Sequence, residues 1–65
     1  MSKSIEQKFN DAMCLFSQYC SDSDINKLYQ ARSEIIDVVS FDESNAQAQQ
    51  LLHDIDLTLK TLKRK

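Results

Sequence analysis

The chain has 65 residues, a formal net charge of −2, and neither glycine nor proline. This length allows one domain with a small core, and without glycine or proline the usual tight β-hairpins and glycine helix stops are not available. No run of about 18 apolar residues is present to span a membrane, and the polar amphipathic start is unlike a signal peptide. We therefore expect a single all-helical domain over residues 1–65, located in the cytoplasm.

A first helix is predicted over residues about 4–20. Ser4 followed by Gln7 is a capping-box pattern. Apolar side chains then recur at alternating spacings of four and three residues, which places them on one face: Ile5, Phe9, Ala12, Phe16 and Tyr19. The short polar side chains of residues 21–24 compete for backbone hydrogen bonds and favour helix caps, so they are expected to end this helix and start the next.

A second helix is predicted over residues about 24–39, with a wide apolar arc that indicates contact with two neighbours. Its first stripe is expected to face helix one and consists of Leu28, Ala31, Ile35 and Val38. Its second stripe is expected to face helix three, is interrupted by Arg32, and consists of Ile25, Tyr29, Ile36 and Val39.

A third helix is predicted over residues about 44–63. Its start would be capped by Ser40 paired with Glu43, or by Asp42, and its apolar stripe is Ala48, Leu52, Ile55, Leu59 and Leu62. From the three helices together, six residues are expected to be buried: Phe9, Phe16, Leu28, Ile35, Leu52 and Ile55.

The stretch Ala31–Leu52 resembles a tetratricopeptide repeat, from the second helix of one repeat into the first helix of the next. Ala31 and Ile35 have the spacing of the second helix, the run of residues 42–48 (DESNAQA) resembles the repeat junction, and Leu52 falls at the leucine position. The sequence departs from the family pattern by carrying Gln49, His53 and Asp56 in place of its tryptophan, glycine and tyrosine. The resemblance implies about one and a half helical hairpins. The alternatives are a plain three-helix bundle, or one hairpin that dimerises into a four-helix bundle.

The resemblance also implies a binding face, because ligands of the family lie on a concave surface lined by the first helix of each pair. Here those would be helices one and three. The candidate partner-binding residues lie off the core stripes: Asn10, Met13, Ser17, Gln47, Gln50, Asp54 and Leu57. Met13 and Leu57 are expected to converge across this groove. Single exposed apolar residues are normal on protein surfaces, which favours the interpretation of both as ordinary surface residues over a binding groove.

No catalytic or metal-binding constellation is predicted. Cys14 and Cys20 lie six residues apart on one helix, which separates them by about 9 Å along its axis and excludes a disulfide between them without breaking the helix. Both are expected to be reduced packing thiols. A zinc site needs four ligands, and His53, the other soft candidate, is expected on the surface. We therefore predict that the protein is not an enzyme and has no cofactor.

The charges are distributed unevenly. Residues 1–59 carry four basic and ten acidic side chains, whereas the last six residues add Lys60, Lys63, Arg64 and Lys65. An acidic body disfavours a nucleic-acid platform. The predicted function is a protein-protein interaction module that binds another protein or peptide, such as an adaptor, a chaperone-like partner or a small inhibitor, with a homodimer as the expected assembly. The alternative is a small regulator associated with a nucleic-acid complex through the basic C-terminal tip.

Overall fold

The computed structural model describes residues 4–63, which form three helices: α1 (Ile5–Asp22), α2 (Ile25–Phe41) and α3 (Ala46–Lys63). No β-strand occurs within these residues. The predicted all-α fold of three helices is confirmed. Each helix begins one or two residues later than the predicted bounds, and α1 and α2 each end two residues later.

The three helices are arranged as two antiparallel hairpins that share α2. Lys8, near the start of α1, pairs with Asp37, near the end of α2, at 2.8 Å. Arg32, in the middle of α2, pairs with Asp56, in the second half of α3, at 2.7 Å. α1 packs along α2 and α3 packs against α2, whereas α1 and α3 contact each other only slightly. The central position of α2 agrees with its wide apolar arc.

The core is centred on α2, whose first predicted stripe is fully buried: Leu28, Ala31, Ile35 and Val38. Ala12 of α1 and Ala48, Ile55 and Leu59 of α3 complete it. Of the six residues expected to be buried, Leu28, Ile35 and Ile55 are buried as predicted.

The expectation that Phe9, Phe16 and Leu52 are also buried is wrong, because they are only partly buried and pack against the edge of the core. The molecule measures 35 × 23 × 15 Å, and a helix with its side chains is about 10–12 Å across. α1 and α3 contact each other only slightly, so in this thin molecule some large side chains of these two helices are covered by α2 on one side only.

The α1–α2 junction consists of two residues. Ser23 adopts the left-handed conformation (φ 58°, ψ 29°) and its N–H donates to the Tyr19 carbonyl at 2.7 Å. Asp24 caps α2 by accepting the Asn26 N–H at 3.0 Å. Lys27 pairs with Asp22 across the junction at 2.5 Å, and this hydrogen bond lowers the pKa of the Asp22 carboxyl below its ordinary value. The predicted break is confirmed at Ser23 and Asp24, which cap the two helices, whereas Ser21 and Asp22 belong to α1.

The α2–α3 junction differs from the prediction. Asn45 caps α3, with its side-chain carbonyl accepting the Ala48 N–H at 3.1 Å, so the expected caps from Ser40 with Glu43 or from Asp42 are wrong. The reason is that α2 continues to Phe41, which leaves Ser40 inside the helix. Asp42 instead closes α2, since its N–H donates to the Val38 carbonyl at 2.9 Å.

Candidate interaction surfaces

Two open grooves flank α3, one on each side. The α1–α3 groove has a volume of about 540 Å³ and is lined by Phe9, Met13, Ala46, Gln47, Gln50, Leu51 and Asp54. The α2–α3 groove has a volume of about 460 Å³ and is lined by Tyr29, Arg32, His53, Asp56, Leu57, Leu59 and Lys60. Both exist because α3 packs mainly against α2 and contacts α1 only slightly, which leaves its two flanks largely uncovered.

The α1–α3 groove has an apolar floor and a polar rim. Phe9 and Leu51 are partly buried against the core, and Met13 beside them is 48% exposed. On the rim, Gln50 donates its amide N–H to the Asp54 carboxylate at 3.0 Å. This combination can take up an apolar side chain and form hydrogen bonds around it.

Four of the seven candidate residues meet in the α1–α3 groove, namely Met13, Gln47, Gln50 and Asp54. Asn10 and Ser17 are exposed on α1 but do not line this groove. Leu57, which is 48% exposed, lines the α2–α3 groove instead. The expected convergence of Met13 and Leu57 across one groove is therefore not found.

Phe9 and Leu51 also line the α1–α3 groove, although Phe9 was expected only in the core. The α2–α3 groove as a whole was also missed. A signal for it exists at Tyr29 and Arg32, where the second apolar stripe of α2 is interrupted by a cationic residue. Tyr29 is 48% exposed, so this stripe is not fully covered by α3.

The α2–α3 groove contains the ion pair between α2 and α3. The Arg32 Nε atom lies 2.7 Å from Asp56 Oδ1, and each of the two side chains is nearly half exposed. His53 and Lys60 are exposed on the same side of α3. The side chains of Lys63, Arg64 and Lys65, the rest of the predicted basic tip, lie outside the described residues.

Within the described residues, no three His, Cys, Asp or Glu side chains come together in an arrangement that could hold a metal ion. Cys14 and Cys20 are free and both are exposed, so the expectation that they pack in the interior is wrong. None of the helices in the described part of the chain is both long and apolar enough to cross a membrane.

Comparison with protein-family models, with curated proteins and with solved structures found no match to this chain. The helical-hairpin arrangement is supported by the packing of α1 and α3 against α2.

Proposed function

We propose that this protein is a small non-enzymatic protein-protein interaction module that binds its partner in the α1–α3 groove. The observation that carries the proposal is the half-exposed Met13 beside the apolar floor formed by Phe9 and Leu51. Clustered exposed apolar side chains with a polar rim are typical of binding surfaces, and helical proteins commonly use such grooves to take up a partner helix.

The proposal includes a tetratricopeptide-like organisation, in which α1 and α3 are the first helices of successive pairs and α2 is the second helix of the first pair. Support comes from Ala31 and Ile35, which are fully buried on α2, and from Asn45 and Ala46, which stand at the start of α3. The α1–α3 groove is then the concave face of the repeat.

The proposed first partner is a second copy of the chain, in the cytoplasm. Solenoid repeats need about three units to cover their apolar faces, and this chain supplies about half of that. The groove rim suits pairing with itself, because the amides of Gln47 and Gln50 each donate and accept hydrogen bonds. In a two-fold dimer the same patch faces itself, so each Met13 side chain contacts the groove floor of the other copy.

Met13→Glu tests this proposal. A carboxylate at the dimer interface loses its hydration without gaining a partner, so we expect a dimeric wild type at tens of micromolar and a monomeric variant with unchanged helicity. Light scattering and circular dichroism measure the two properties.

The matched control is Gln18→Glu, which adds the same charge at an exposed position of α1 outside both grooves, and it should remain dimeric. Leu57→Glu should also remain dimeric, because Leu57 lines the α2–α3 groove; it therefore distinguishes the two grooves. A folded Met13→Glu variant that still dimerises, or a wild type that stays monomeric, would remove the support for a dimer through the α1–α3 groove.

A further inference from the structure

The α2–α3 groove is locally basic in a protein whose body is acidic. Residues 1–59 carry four basic and ten acidic side chains. By contrast, this groove is lined by Arg32, His53 and Lys60 and by a single carboxylate, Asp56. That carboxylate is already paired with Arg32 at 2.7 Å. Lys60 therefore adds positive charge that no acidic residue of the groove lining balances.

The same groove exposes apolar surface from both of its helices. Tyr29 on α2 and Leu57 on α3 are each 48% exposed, and Leu59, 8% exposed, closes the floor between them. A furrow between two antiparallel helices accepts a third helix along its length, because side chains of one helix fit between the ridges of the others. Such a helix would contact Tyr29 on one side and Leu57 on the other.

We propose that the α2–α3 groove docks an acidic amphipathic helix of a different protein. Its apolar residues, spaced at three and four positions, pack on Tyr29 and Leu57. Its carboxylates lie beside Lys60 and the partly exposed guanidinium of Arg32, where the charges are complementary. This site is distinct from the α1–α3 groove proposed above for dimerisation, so the two can be tested separately.

A second copy of the chain is a poorer occupant for reasons of charge. A closed two-fold contact places the same patch on both sides, so the unbalanced positive charge of Lys60 in one copy would be brought close to that of the other. Like charges held together across an interface are unfavourable. An acidic helix from another protein avoids this repulsion and gains attraction at the same positions.

The test uses two synthetic fluorescein-labelled peptides of equal length that share one leucine face. In the acidic peptide alternate positions outside the leucine face are glutamate, and in the basic peptide the same positions are lysine. Fluorescence anisotropy should show that the acidic peptide binds the full chain and that the basic peptide does not. Removal of the Leu57 or Tyr29 contact by Leu57→Ser or Tyr29→Ser should weaken the binding by about ten-fold.

Charge is tested with two variants that each lower the net charge by one. Lys60→Gln, inside the groove, should weaken binding of the acidic peptide by about two- to five-fold. Gln18→Glu, outside both grooves, should leave the affinity for this peptide nearly unchanged. Met13→Glu should also leave it unchanged, because Met13 lines the other groove. A failure of the proposed dimer would therefore not affect this measurement.

Several results would overturn the inference. Equal binding of the basic and acidic peptides would show that charge does not select the partner. Loss of acidic-peptide binding in Met13→Glu, with retention in both Leu57→Ser and Tyr29→Ser, would place the peptide in the α1–α3 groove. A wild-type dimer that Leu57→Ser dissociates would make a second copy the occupant. Displacement of the acidic peptide by a single-stranded oligonucleotide at equal concentration would identify phosphate as the preferred ligand.

Discussion

Ser23 has the only positive φ, at 58°, among the residues that the structure describes. The left-handed conformation costs a residue with a Cβ atom about 1–2 kcal/mol, and the chain has no glycine to place there. In return the Ser23 N–H satisfies the Tyr19 carbonyl at the end of α1. The sequence indicated a break at residues 21–24 but not which residue would turn, because all four are short and polar and each can cap a helix.

Ser23→Gly is expected to raise the free energy of unfolding by about 0.5–1 kcal/mol. Glycine relieves the steric cost of positive φ, although its greater freedom in the unfolded chain offsets part of the gain. Urea denaturation followed by circular dichroism measures the change. Ser21→Gly is the control: Ser21 is exposed and helical, so glycine there should destabilise by about 0.5 kcal/mol. Equal destabilisation by both substitutions would contradict the left-handed turn at Ser23.

At the scale of the helices, the sequence predicted which faces are apolar but not how deeply each is buried. Spacings of three and four residues identify a helix face regardless of what covers it. Depth depends on the number of neighbours, which periodicity does not reveal. α2 has a neighbour on two sides and buries Leu28 and Ile35 completely. α1 and α3 each have one main neighbour, and the outcome differs: within the described residues α1 fully buries only the small Ala12 and leaves Phe16 at the edge, whereas α3 fully buries Ile55.

Ile35→Ala should therefore be more damaging than Phe16→Ala, although phenylalanine is the larger residue. Removing a fully buried isoleucine costs about 2–5 kcal/mol, which is comparable with the roughly 3–5 kcal/mol that a core of this size provides. We expect Ile35→Ala to be largely unfolded at 25 °C and Phe16→Ala to keep a cooperative melt, both followed by circular dichroism. Leu57→Ala, on an exposed face, should change stability by no more than about 0.5 kcal/mol. A greater loss of stability from Phe16→Ala than from Ile35→Ala would show that α1 is more deeply packed than the structure indicates.

At the scale of the whole molecule, α3 packs less extensively on α2 than α1 does, and it contacts α1 only slightly. This arrangement explains why the sequence located part of the candidate site and missed the rest. Gln47, Gln50 and Asp54 follow from the periodicity of α3, which places them off its core stripe. Leu57 also lies off that stripe, but periodicity does not tell which flank of α3 faces α1, so its place in the α2–α3 groove was not predicted.

Hydrogen exchange should reveal the weaker attachment of α3. Amides exchange through local opening, and elements with fewer packed neighbours open at lower cost. In a native-state exchange experiment the central amides of α3 should therefore lose protection before those of α1 and α2. Binding of the acidic peptide should slow exchange in α3 most. Uniform protection across the three helices would indicate that α3 opens only with the rest of the fold.

The two-residue junction at Ser23 and Asp24 has a consequence for exchange of helices between molecules. Short, strained hinges favour domain swapping, and α1 and α2 would join as one continuous rod if Ser23 left its left-handed conformation and Asp24 its extended one, both becoming helical. In that open form α1 loses its place on α2 of the same chain, but the α2 of a second chain offers the same surface. The contacts of Ala12 with the core and the Lys8–Asp37 ion pair can then be made between chains. Relief of the strain at Ser23 favours the open form. High protein concentration would favour the entwined pair by mass action.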